Sequence, residues 1–134
     1  QKVDWAEDTL EMRIRPGSDR QKRRELLENW YRKQLGMQIP VLIAAWKPVV
    51  GVEVLQWRIR KMKTRWGSCN INAGRIWLNL ELARKPLTCL EYVLVHEMVH
   101  FYERLHNERF YALMDIVMPD WRERSKSLSN VDLC

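Results

Sequence analysis

The sequence predicts an α+β domain: helices in the N-terminal half, a small antiparallel sheet in the middle, then a buried helix followed by a C-terminal one. Three patterns carry this expectation. Apolar residues recur at helical spacing from Asp19 to Leu35, period-two alternation runs from Val52 to Arg60, and the segment from Leu90 to Leu105 is apolar on almost every side of a helix. The 134 residues are enough for one core, and 46% hydrophobic with 30% charged residues is ordinary for a water-soluble globular chain. The whole of residues 1–134 is therefore read as one domain.

In chain order, Val3, Trp5, Leu10, Met12 and Ile14 alternate loosely, as part of a strand would. The start at Gln1 leaves room for an N-terminal extension ahead of this chain. Ser18 or Asp19 is suited to cap a helix whose inner stripe is Leu26, Leu27, Trp30, Tyr31 and Leu35, and Gly36 is expected to end it. A second helical piece is expected from Pro40, at its first turn, to Val50. The alternation of Val52–Arg60 predicts a strand with one buried face, and Asn70–Gly74 reads as the turn of a hairpin between Arg65–Ser68 and Arg75–Leu80. No internal repeat is visible.

No stretch can cross a bilayer, because the best candidate, 39–52, is interrupted by Pro40, Lys47, Pro48 and Gly51. No secretory signal is read within these 134 residues. Cys69, Cys89 and Cys134 cannot all pair and form no close CxxC unit, so a reducing, cytoplasmic compartment is expected. Cys89 is expected to pack as a small hydrophobe.

The chemistry lies in the apolar helix. His96-Glu97-Met98-Val99-His100 is an HExxH, and His106 follows six residues on. Each helical residue advances about 100°, so His96 and His100 fall about 40° apart on one face, where two imidazoles can share a tetrahedral ion. Glu97 points to the neighbouring sector, placed to accept a proton from a metal-bound water. Two imidazoles and a carboxylate buried without a partner would cost roughly 1–3 kcal/mol each, which a zinc ion and its water would relieve.

His106 needs a bend first, since six more helical residues would turn it about 600° away from His100. The extended HExxHxxGxxH motif makes this bend with a glycine, whereas this chain has Glu103 at that position. The helix is expected to end near Arg104 or Leu105, with Asn107 capping a next helix through Phe110, Leu113, Met114 and Val117. Competing third ligands are Cys69, as in peptide deformylases, and Glu108, Asp115 or Glu123, as in thermolysin-like enzymes; none has the compact spacing of His106.

Together, Thr64-Arg65-Trp66-Gly67-Ser68-Cys69-Asn70, Gly74-Arg75-Ile76-Trp77-Leu78-Asn79, Pro86, Tyr92-Val93, the HExxH, His106 and Phe110 resemble the YgjP-like zinc metallopeptidases, more distant relatives of the SprT-like proteases. The resemblance spans about Arg60 to Trp121. It implies a compact zincin-like domain with His96, His100 and His106 as zinc ligands, Glu97 as catalytic base, and a peptide or protein as substrate. Family members usually carry Ser where this chain has Asn107, and either caps a helix. By analogy with zincin clefts, the strand around Ile76, Trp77 and Leu78 is expected to be the edge along which an extended peptide lies. Tyr92, Tyr102 and Tyr111 are candidate oxyanion donors, and Asn79 is suited to hold a backbone turn.

Charge suggests a second reading. The net charge is +6, with basic runs at Arg20–Arg24 and Arg58–Arg65, the latter flanked by Trp57 and Trp66, a composition able to hold nucleic acid. This admits a nucleic-acid-associated protease or a metal-dependent ribonuclease. The ribonuclease family with the same histidine spacing has a glycine in place of Glu97, so the carboxylate favours the peptidase. A purely structural zinc site ranks last, because such sites close with four protein ligands.

Overall fold

A computed structural model describes residues 19–128. The N-terminal alternation, Ser18 and Cys134 lie outside them. Helix α1 spans Arg20–Val50 and leads into strands β1 (Gln56–Arg60), β2 (Gly67–Asn70) and β3 (Arg75–Asn79). A 3-10 helix (Leu80–Arg84) then precedes α2 (Leu87–Val99), α3 (Glu108–Val117) and α4 (Trp121–Ser125).

The two N-terminal helices expected from Gly36 and Pro40 are one helix of 31 residues. Asp19 is its cap, accepting the Lys22 N–H at 2.8 Å. Tyr31, Leu35, Ile39 and Leu42 recur every three or four residues and are buried on one stripe that runs past both suspected breakers. That continuous burial outweighs the roughly 3 kcal/mol an interior proline costs a helix. The helix ends instead at Gly51, whose φ of 79° is open to glycine at little cost and whose N–H bonds the Lys47 carbonyl at 2.7 Å. The Tyr102 hydroxyl shares its proton between the Val50 and Gly51 carbonyls (2.7 and 2.9 Å), where a Cβ on residue 51 would meet it at 2.8 Å. A β-carbon and that clasp are incompatible.

The sheet is mixed rather than antiparallel. Its order is β1-β3-β2, with β2 antiparallel to β3, as the hairpin predicted, but β1 parallel to β3. The strand near Ile76–Leu78 is therefore central and cannot be the peptide-binding edge; among the described residues the edges are β1 and β2. Asn79 explains the crossover. Its amide donates to the Met62 and Arg65 carbonyls (3.0 and 2.7 Å) and its oxygen accepts from Glu81 N–H at 3.0 Å. One buried side chain thus ties the β1–β2 connection to the end of β3 and caps the 3-10 helix. The strand predicted over Val52–Arg60 begins only at Gln56. The N–H groups of Leu55 and Gln56 both reach the Gly74 carbonyl (2.8 and 3.1 Å), a bulge-like step after which the half-buried positions change from 52 and 54 to 57 and 59.

The inner face of the sheet, with Ile76 and Leu78 fully buried, packs on α2. Every residue of α2 from Cys89 onward is buried except Glu91, which accepts from Trp46 Nε1 at 2.7 Å and pairs with Arg124 at 2.5 Å. Burial pushes the Cys89 thiol up, as expected of a cysteine used as a core residue. Among the described residues no helix is long and apolar enough to cross a membrane.

Candidate metal centre

His96 and Glu97 lie in the last turn of α2, with His100 as its C-cap. The helix therefore ends at Val99, a turn earlier than the sequence suggested. Residues 100–107 reverse the chain without any glycine and, among the described residues, without any non-glycine φ above zero. The bend is built from short-range bonds: Tyr102 and Glu103 N–H groups bond the Val99 carbonyl (2.9 and 3.2 Å), and Glu103 Oε2 accepts the Leu105 N–H at 3.2 Å. Asn107 then caps α3, its side chain accepting the Phe110 N–H at 3.1 Å, as its position predicted.

This reversal brings His106 back to the helix. Its Nε2 lies 3.1 Å from His96 Nε2 and 3.0 Å from His100 Nε2. Three imidazoles bound to one tetrahedral zinc at the usual 2.0–2.1 Å would hold their nitrogens about 3.3 Å apart, so the observed spacing is close to what an ion requires. Among the described residues this is the group of potential ligands able to hold a metal. His96 and His100 are buried and His106 is exposed, which leaves the centre open on its His106 side. His100 Nδ1 lies 3.0 Å from the Glu103 carbonyl, so the proton belongs on Nδ1 and Nε2, which faces His106 Nε2, carries the lone pair. Glu103, notable in the sequence only as a missing glycine, thus orients the His100 ring and closes the bend. Phe110 is fully buried, its ring centroid 4.6–5.0 Å from all three imidazoles. It is their common floor, a role that its place in a helical stripe did not disclose.

Glu97 is wholly buried, and neither carboxylate oxygen has a nitrogen or oxygen partner. Burial holds its carboxyl well above the usual carboxylate range, against the smaller opposing influence of the Cys69 thiol and the Arg65 charge. Gly67 of β2 makes this placement sterically possible. A Cβ there would lie 2.8 Å from Val93 Cγ1 and 3.1 Å from Glu97 Oε2. Cys69, on the same inner face two residues along, sits against the carboxylate and does not join the imidazole group. Of the carboxylate alternatives, Asp115 accepts from Trp121 Nε1 and pairs with Arg122, Glu123 pairs with Lys126, and neither these nor Glu108 join the imidazole group.

Of the tyrosines considered as oxyanion donors, Tyr102 is committed to the end of α1. Tyr92 is buried edge-on against His96 and stacked parallel to Trp121, with burial and the nearby Tyr111 and Glu97 pushing its hydroxyl up to about 12. Tyr111 is exposed and stacks on the same indole, Trp121, at 5.5 Å. A cleft lined by Cys69, Asn70, Ile71, Asn72, His100 and Arg104 runs beside the centre, so the edge strand bordering it is β2. Trp66 is core, and Trp77 is half-buried on the far side of the sheet.

A small mixed sheet over a buried helix that carries an imidazole cluster and a buried carboxylate is the architecture of a metallopeptidase. The chain belongs to the YgjP-like family, whose metallopeptidase-domain model matches residues 1–131. It is a peptidase of the hydrolase class, and membership implies a metal ion. Its fold is similar to the crystal structure of the metallopeptidase zymogen abylysin of Pyrococcus abyssi, with a TM-score of 0.59 and 22% identity over 66% of this chain and 89% of that one. No curated protein matches the chain.

Proposed function

We propose that the chain is a zinc-dependent peptidase in which His96, His100 and His106 hold the ion and Glu97 is the general base. The observation that carries this reading is the convergence of the imidazole Nε2 atoms, 3.0 and 3.1 Å from His106 to its two partners, with a wholly buried carboxylate on the residue after His96 that has no nitrogen or oxygen partner. Three neutral imidazoles leave zinc its full charge and one open position, which acidifies a water and polarises a carbonyl there. Glu97, wholly buried and with its carboxyl raised well above the usual range by that burial, would take a proton from the attacking water and deliver it to the leaving amine. An extended peptide is expected to add to the β2 edge along Cys69 and Asn70, where main-chain hydrogen bonds give register without demanding a sequence.

Glu97→Gln is expected to keep stoichiometric zinc and lose activity on an unstructured protein by about 10²–10⁴-fold. His96→Ala should lose the metal. A Glu97→Gln enzyme as active as the native one, or unchanged zinc in His96→Ala, would remove the reading.

A further inference from the structure

The sheet has a second face, turned away from the metal centre. The register assigns it residue by residue: Gln56, Arg58 and Arg60 from β1 lie beside Arg75, Trp77 and Asn79 from β3, with Ser68 and Asn70 from β2 on the other side. Arg58, Arg60 and Asn70 are exposed, and Arg75 and Trp77 half-buried. Among the described residues no acidic one stands on these strand positions. The whole stretch 54–80 contains six of the 23 basic residues and none of the 17 acidic ones, so the other 17 basic residues balance the acidic ones and the entire net charge of +6 resides here.

The charge is also uncompensated locally. Arg58 donates to the Trp57 carbonyl and Gln56 Oε1 (3.1 and 3.5 Å), Arg75 to the same Gln56 oxygen at 2.9 Å, and the Arg60 guanidinium lies 5.0 Å over the Trp77 ring. All of these acceptors are neutral. Among the described residues none of the three arginines has a carboxylate partner, although Asp and Glu engage other cations across the molecule. Lys61, Lys63 and Arg65 are exposed on the connection that Asn79 pins at one end of this face, and α1 abuts the same end through Lys61–Glu28 (2.8 Å) and Arg32 to the Ile59 carbonyl (3.0 Å). Concentrated like charge on three arginines without a carboxylate partner among the described residues is a standing electrostatic cost that a polyanion would relieve.

We propose that this outer face binds single-stranded nucleic acid, the arginines meeting phosphates and Trp77 offering a base a stacking surface. A protein partner of acidic character would satisfy the charge but would leave the Trp77 ring on this face unexplained. Strands of five residues give a platform about 16 Å long, room for two or three nucleotides. Of the indoles near the basic run, Trp66 is core and Trp57 lies on the face paired with buried Ile76, so Trp77 is the one in place. Because the sheet separates this face from Glu97, bound nucleic acid would hold the peptidase near its location without blocking the centre.

Fluorescence anisotropy of the full chain with labelled oligo-dT and oligo-rU of about 16 nucleotides tests this, against duplex DNA and polyglutamate. Both single strands are expected to bind, with steep loss between about 50 and 200 mM salt; which one binds tighter identifies the source. In the Arg58→Ala/Arg60→Ala double variant affinity should fall about tenfold or more and the salt slope by about 1.4, while the paired Lys variants keep the slope. Trp77→Ala should weaken single strands about tenfold and leave the weaker duplex binding unchanged. Metal content and far-UV circular dichroism should match the native chain in each variant. Failure to bind either strand at low salt, equal competition by polyglutamate, tighter binding to duplex, or a double variant indistinguishable from native would overturn the proposal.

Discussion

Helix α1 and the segment 100–107 treat local preference in opposite ways. The first contains Gly36, Pro40 and Pro48 and remains helical for 31 residues. The second contains no glycine or proline, yet the chain leaves the helix at Val99 and reverses. In α1 a continuous stripe from Tyr31 to Leu42 would lose its burial if the axis broke. After Val99 the outcome is decided by what lies beyond: the Asn107 cap and Phe110 require the chain to arrive from the opposite direction. Tertiary burial overrides a breaker in one place and imposes a break in the other.

The contrast can be broken at either end. The largest effect is expected from Phe110→Ala, which removes the floor under the three imidazoles: stability should fall by about 3–5 kcal/mol in chemical denaturation, and zinc affinity by about 10–100-fold by chelator competition. Unchanged zinc affinity would mean that the loop holds His106 without help from the core. Next is Pro40→Ala. Pro40 is exposed and interior to α1, so restoring the N–H should raise stability by roughly 1–3 kcal/mol; a loss would show that the proline is needed for the path of the helix. Asn107→Ala should cost about 1 kcal/mol and lower zinc affinity while leaving His96 and His100 in place. If stability falls but zinc affinity does not, the cap serves α3 alone.

The same contrast marks what the sequence could disclose. The α+β class, the hairpin, the Asn107 cap and the histidine pattern were legible because each is local, written in spacings of a few residues. Continuity through Gly36 and Pro40 was not, since both are breakers on any local scale. The parallel pairing of β1 with β3 was equally hidden: alternation tells which face of a strand is buried but not its neighbour or direction, and the crossover depends on Asn79 reaching carbonyls 14 and 17 residues away. The edge strand was misplaced for that reason. Gly67, Glu103 and Phe110 were present in the motifs, but their work is done by a missing Cβ, a backbone carbonyl and a ring beneath three others, none of which leaves a pattern in residue types.

The central claim is that His96, His100 and His106 together make one metal site, and zinc K-edge X-ray absorption on the zinc-loaded full chain addresses it most directly. The account predicts a four-coordinate spectrum fitted by three imidazole nitrogens and one lighter oxygen-type ligand at about 2.0 Å, with one imidazole lost in His106→Ala. A sulfur shell at about 2.3 Å, which would place Cys69 on the metal, or an imidazole count unaffected by His106→Ala, would contradict it.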